Sequence, residues 1–123
     1  KPELISRIEN ASGDSVSETQ SEKFSTLMTK TEAEQLRNLM AAAVSGGTAK
    51  ELSGLSYSAG GKTGSAEYTK ADGTTGTNSW FVGYAGKDTP EVVISVLAED
   101  GGAGSETAVP IAHAVFDTFF ENK

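Results

Sequence analysis

Leu36, Leu39, Met40, Ala43 and Val44 recur at helical spacing, and the pair Gly46-Gly47 closes the run. Thr31, followed three positions later by Glu34, carries the signature of a capping box, in which the hydroxyl takes a free amide and the carboxylate bonds back. The spacing predicts a helix over residues 32–45. The pattern then changes: Tyr57–Tyr68, Asn78–Ala85 and Glu91–Ala98 predict strands, separated by the turn pair Asp72-Gly73 and by Pro90. Connections this short favour antiparallel hairpins, because a parallel crossover needs about a dozen residues or more. Val92-Val93-Ile94-Ser95-Val96-Leu97 is apolar at both alternating sets of positions, which predicts a strand covered on both faces. Ala112, Val115, Phe116, Phe119 and Phe120 fall along one side of a last helix over residues 108–121, with Pro110 in its first turn. At the other end, Leu4–Ile8, a turn with Asn10, Gly13 and Asp14, and a polar return predict an exposed hairpin.

These elements make an α/β chain of the α+β type, an antiparallel sheet of at least three strands packed with helices. Composition narrows what it can do. With 17 acidic and 10 basic side chains the net charge is −7, and no Lys/Arg cluster is present, which argues against binding nucleic acid phosphate. Hydrophobic residues make up 37% and glycine contributes 14 of 123 positions, as expected of a loop-rich domain or part of a larger one. No cysteine is present, so no disulfide, thiolate metal site or Cys nucleophile is available. The apolar stretch Val92–Ala98 falls far short of the roughly 20 residues of a membrane helix. Lys1–Asn10 lacks the apolar core of a signal peptide and has no initiating Met, so the chain is expected to start partway through a longer protein.

Candidate chemistry centres on Gly61-Lys62-Thr63-Gly64-Ser65-Ala66, within a predicted strand. A phosphate-binding P-loop would need glycine at position 56, where the chain has Ser56, and a helix where Gly64 stands. Taken alone, Lys62 reads as a solvated strand lysine. Gly64, however, lets another backbone come close, so a peptide could lie alongside as an added strand. Trp80 and Phe81 read mainly as core aromatics, although adjacent strand residues must face opposite ways. The polar segment Thr69–Thr77 reads as a mobile surface hairpin overhanging the same edge. His113 is the only histidine and sits within the last helix, so a structural or surface role is expected rather than a Ser-His-Asp triad. Glu99-Asp100 and the glycines after it lack calcium-loop spacing, and no metal or cofactor is expected.

The order of Arg37–Thr48 with Gly47-Thr48-Ala49, Gly61–Glu67, Ser79–Ala85, Val92–Asp100 and Val109-Pro110-Ile111-Ala112 resembles the C-terminal part of a penicillin-binding protein transpeptidase domain. The resemblance runs from about residue 31 to the end, making residues 1–30 a hairpin and linker and 31–123 part of one incomplete domain. It implies a β-lactamase/transpeptidase-like fold and a D,D-transpeptidase that cross-links peptidoglycan through an acyl-serine intermediate. Lys62, Thr63, Gly64, Ser65 and Ala66 would line the substrate strand. The Thr63 and Ser65 hydroxyls would hold the terminal carboxylate of a D-alanyl-D-alanine stem peptide or a β-lactam. Lys62 would supply charge and help proton transfer, and the Ser65 amide would be one oxyanion-hole donor. Ser65 stands where such proteins more often carry threonine. Implied partners are the stem peptide, β-lactams, the upstream part of the same domain and other cell-wall synthesis proteins. The implied place is the outer face of the bacterial cytoplasmic membrane, through an upstream anchor.

The family also has a Ser-x-x-Lys and a Ser-x-Asn box, and no serine of this chain has Lys three positions on or Asn two positions on. Both boxes lie upstream of Lys-Thr-Gly in the family, so this chain alone is expected not to acylate. A β-lactamase or D,D-carboxypeptidase of the same superfamily, or a non-enzymatic β-lactam sensor, stands as the alternative. The start of the last helix at Pro110-Ile111-Ala112 favours the transpeptidase.

Overall fold

The computed structural model describes residues 4–20 and 25–123, and the chain divides into two compact units, residues 1–32 and 33–123. In the first, β1 (Arg7–Glu9) pairs antiparallel with β2 (Ser15–Glu18). The turn is built by Asn10, whose Oδ1 accepts from the amides of Ser12 and Asp14, and Gly13 takes φ +87°. Leu4 and Ile5, expected in the strand, lie before it; every position of both strands is exposed, so no core draws the ladder further.

Helix α1 (Lys30–Ser45) begins earlier than the sequence pattern implied. Thr29-Lys30-Thr31-Glu32-Ala33-Glu34 holds two overlapping capping boxes, and the structure uses the first. The Thr29 hydroxyl accepts from the Glu32 amide at 3.3 Å, while the Glu32 carboxylate accepts from the Thr29 amide at 2.7 Å. The bond from the Thr29 amide, and then one that the Thr29 hydroxyl donates to the same carboxylate at 2.8 Å, hold the Glu32 carboxyl below its ordinary range. Leu36 and Leu39 are exposed, and of the expected apolar stripe only Val44 is fully buried.

In the second unit, β3 (Ser58–Thr69), β4 (Thr75–Gly86) and β5 (Val92–Ala98) form an antiparallel sheet in the order β3-β4-β5. The register runs unbroken from Ser58↔Gly86 to Thr69↔Thr75. The segment expected as a loop over Thr69–Thr77 is a turn only at residues 70–74, and Thr69 and Thr75–Thr77 belong to the ladder. There the Lys70 amide bonds the Thr74 carbonyl at 2.8 Å and the Gly73 amide bonds the Lys70 carbonyl at 2.9 Å. Gly73 takes φ +84°, the left-handed position that a three-residue hairpin loop needs. Asp72 accepts from the Thr74 amide and hydroxyl, and Lys70 pairs with Asp100, tying the tip to the end of β5.

The core lies between one face of this sheet and α2 (Ala108–Glu121). Phe81, Ala85 and Val96 meet Ala108, Val109, Ala112 and Phe116, with Leu52 and Tyr57 closing the side. Phe81 and Phe116 are fully buried, each a gain of roughly 1.5–3 kcal/mol over exposure. Tyr57 stacks on Phe120 with ring centroids 4.4 Å apart and donates to Asp117 at 2.8 Å; burial and then that bond push its phenol pKa up.

Two expectations about packing are corrected. Val92, Ile94 and Val96 face the core, but Val93 is 75% exposed and Leu97 46%, so β5 is covered on one face only among the described residues. On α2 the core face is Ala108, Val109, Ala112, Phe116 and partly Phe120; Val115 and Phe119 lie with Ile111 on a second, exposed stripe. Both misreadings share a cause: sequence pattern reports which residues are apolar, not which side has a partner.

Candidate functional site

Strand pairing sets which way the Lys-Thr-Gly backbone faces. β3 is an edge strand of its sheet, with β4 on one side. In an antiparallel ladder, alternate residues bond the neighbour and the others point away. The Lys70–Thr74 pair is hydrogen-bonded, so with an unbroken register residues 62, 64 and 66 bond toward β4. Thr63 and Ser65 therefore turn their amides and carbonyls to the open edge. The Lys62 ammonium already uses that edge, donating to the Thr63 carbonyl at 2.5 Å.

Side chains alternate the other way, between the two faces. Lys62, Gly64, Val82, Trp80 and Leu97 share one face, and Thr63, Ser65, Phe81, Ser79 and Val96 share the core-side face. Trp80 is 37% exposed while Phe81 is buried. The Trp80 Cβ stands close enough that a Cβ at Gly64 would be 3.3 Å away, so the strand is tightly packed beside Lys62. Phe81 lies over Gly61 and Gly83, where a Cβ would come within 2.3 Å and 2.5 Å of its ring. Those two glycines serve the core beneath the site.

Two contacts from distant segments reach this strand. The Thr48 and Thr63 hydroxyls are 2.7 Å apart. Thr48 arrives there because the chain folds back after α1: the Ala49 amide bonds the Ala43 carbonyl at 3.0 Å, and a Cβ at Gly47 would meet that carbonyl oxygen at 2.8 Å. Ala49 and Leu52 of the following turn are buried in the core, which anchors it. On the core side, the Ser65 hydroxyl accepts from the Gly104 amide at 3.3 Å. The loop carrying Gly104 is pinned by Ser79, a buried serine that donates to the Ala103 carbonyl and accepts from the Ala108 amide, each at 3.1 Å. Ser79 thereby satisfies one of the free amides at the start of α2. Ala66, at the end of the segment, is exposed opposite Asn78.

Thr48, Ser79 and Gly104 were not singled out as site residues from sequence. Gly47-Thr48-Ala49 and the glycine cluster at Gly101, Gly102 and Gly104 were visible signals, but their meeting on one strand is tertiary. His113 lies 3.1 Å from Glu51 through Nδ1 and 3.3 Å from Asp117 through Nε2, the latter without hydrogen-bond geometry; its neighbours are carboxylates. A polar groove of about 340 Å³ lined by Glu34, Arg37, Tyr84, Lys87 and Asp88 contains none of residues 62–66.

β3 thus presents Lys62, two hydroxyls and outward amides along the open edge of a helix-backed antiparallel sheet. The chain belongs to the penicillin binding protein transpeptidase domain family, whose family model matches residues 1–117. It is 37% identical over 46 residues to the peptidoglycan D,D-transpeptidase MrdA of Haemophilus influenzae, a match covering 37% of this chain and 7% of that protein. The crystal structure of the D,D-transpeptidase domain of a peptidoglycan glycosyltransferase from Eggerthella lenta superposes with a TM-score of 0.77 at 32% identity. That match covers 94% of this chain and 26% of the other, so the chain spans about a quarter of its structural relative. The antiparallel sheet with its two helices is thus a piece of transpeptidase-domain fold. No helix among the described residues is long and apolar enough to cross a membrane.

Proposed function

We propose that this chain is the C-terminal part of a serine D,D-transpeptidase and supplies the substrate-binding strand of its acylation site. The observation that carries the reading is the open edge of β3, where Thr63 and Ser65 turn their backbone outward beside Lys62. A D-alanyl-D-alanine stem peptide, or a β-lactam in its place, lies along this edge and bonds to it as a further strand. Lys62 attracts the substrate carboxylate, and the Thr63 and Ser65 hydroxyls donate to it. Either hydroxyl of the Thr48–Thr63 pair can donate; when Thr48 does, the Thr63 proton is free for that carboxylate. Gly64 leaves room for the incoming backbone, and Ala66 lies at the end of the bound stretch.

When the nucleophilic serine attacks the carbonyl, negative charge builds on its oxygen. The Ser65 amide donates to that oxygen, and loss of one such donor typically costs about 2.7–4 kcal/mol of transition-state stabilisation. The nucleophile and its lysine come from the preceding part of the domain, since no serine here has Lys three positions on. That same part covers the apolar surfaces left open on this chain, Val93 and Leu97 of β5 and Ile111, Val115 and Phe119 of α2. The complete protein acts in cell-wall synthesis at the outer face of the cytoplasmic membrane, held by an anchor upstream.

The test is to label the full-length protein with a fluorescent penicillin and map the adduct by mass spectrometry. The adduct is expected on a serine preceding these residues, and a polypeptide of residues 1–123 alone is expected to take none. Stoichiometric acylation within this chain would overturn the assignment of the nucleophile.

A further inference from the structure

We infer that Gly104 is a positioning residue for the substrate-binding strand: it fixes the Ser65 hydroxyl as a hydrogen-bond donor toward the substrate carboxylate. The inference rests on the transpeptidase reading and deepens it. A serine hydroxyl can give one proton and accept at two lone pairs, and its direction is otherwise free. The Gly104 amide, at 3.3 Å from Ser65 Oγ, occupies an accepting position from the core side. An oxygen held that way keeps its proton for another acceptor, and Ser65 sits on the open-edge strand beside Lys62. The rotational freedom lost on carboxylate binding is thereby removed in advance.

Only glycine can stand where this amide comes from. Gly64 and Trp80 are a hydrogen-bonded pair whose side chains both lie on the other face, leaving bare backbone on the core side of that seam. Gly104 rests against it. A Cβ at Gly104 would come 2.6 Å from the Trp80 carbonyl oxygen, 2.7 Å from that of Gly64 and 3.0 Å from the Gly64 nitrogen. These are backbone atoms of the paired strands β3 and β4, so the loop must back away and the Gly104–Ser65 bond must lengthen. The loop is otherwise secured by Ser79 through Ala103 and Ala108, by the Thr107 hydroxyl on the Gly101 carbonyl at 2.6 Å, and by the Gly102 amide on the Thr77 carbonyl at 3.1 Å. None of those four hydrogen bonds involves Gly104, whose carbonyl separately accepts from the Val109 amide at 2.9 Å.

The experiment compares the full-length protein with Gly104→Ala, Ser65→Ala and the double variant. The readout is the second-order acylation rate with benzylpenicillin and with its methyl ester, whose carboxylate is masked. Gly104→Ala is expected to cut the preference for the free acid over the ester about tenfold, the worth of a bond to a charged group. In the Ser65→Ala background the same change should alter that preference less than about threefold, because the two act through one hydroxyl. Equal slowing of both probes by Gly104→Ala, or an undiminished effect in the Ser65→Ala background, would overturn the inference. Where Gly104→Ala does not fold, hydrogen exchange decides: Ser65→Ala should speed exchange of the Gly104 amide, and unchanged exchange would overturn the bond. A wild-type protein that reacts with neither probe removes the transpeptidase reading itself, an outcome separate from loss of the Gly104 effect alone.

Discussion

Ser79→Ala isolates the joint between the sheet and the start of α2. The Ser79 side chain is fully buried, and its one oxygen serves two backbone groups, the Ala103 carbonyl and the Ala108 amide, each at 3.1 Å. Alanine keeps the Cβ, so almost no apolar contact is lost and no cavity of note opens. What is lost is the partner of the Ala108 amide, which is itself buried; the Ala103 carbonyl keeps the Glu106 amide at 3.0 Å. A buried group left without a partner costs about 1–3 kcal/mol. We therefore expect about 1–3 kcal/mol of destabilisation, above the cost of deleting a surface hydroxyl. The assay is denaturant unfolding of the purified protein beside Ser95→Ala, a control that removes a serine hydroxyl from the exposed face of β5. The control should stay within about 0.5 kcal/mol of the parent. A Ser79→Ala protein equally close to the parent would refute the argument that this hydroxyl holds the helix start.

Gly61→Ala puts a Cβ 2.3 Å from the buried Phe81 ring, and overpacking of this kind should cost about 1–3 kcal/mol in the same unfolding assay, whereas Gly54→Ala, with open space but φ +76°, should be strained through its backbone alone. The Asp100 carboxyl is held below its ordinary value of 3.8, chiefly by the bond from Lys70. Its contribution is therefore present above that value and lost as pH falls through the lower folded one, so an NMR titration should show an Asp100 midpoint under 3.8 that rises in Lys70→Ala.

How far the sequence alone reached depends on whether the information was local. The β3–β4 hairpin and α2 follow from short-range signals, namely Asp72-Gly73 at a left-handed turn and Pro110 in a first turn, and the structure has both. The capping box was legible as chemistry but not as register, since Thr29 and Thr31 each have a glutamate three positions on and only packing chooses between them. Val93 and Val115 are apolar enough for a core, yet both face outward, because burial depends on a partner that composition does not name. At the candidate site the Lys62–Ala66 segment stood out through its residue types. Its supports did not: Thr48 and Thr63 lie 15 positions apart, and Ser65 and Gly104 lie 39 apart. Such contacts come from the way α1, the sheet and the loop before α2 close on one strand.

The account centres on Lys62 acting at the open edge of β3, and Lys62→Ala in the full-length protein tests it most directly. The side chain is exposed and, among the described residues, bonds only the carbonyl of its neighbour Thr63, so its removal should leave stability within about 0.5 kcal/mol. On the proposed function the charge acts on the substrate in a preorganised site, where one such electrostatic contact is worth several kcal/mol. We therefore predict a second-order rate of acylation by penicillin at least about a hundredfold lower, with an unchanged melting temperature. An unchanged rate at an unchanged melting temperature would contradict the account and leave Lys62 a solvated strand lysine.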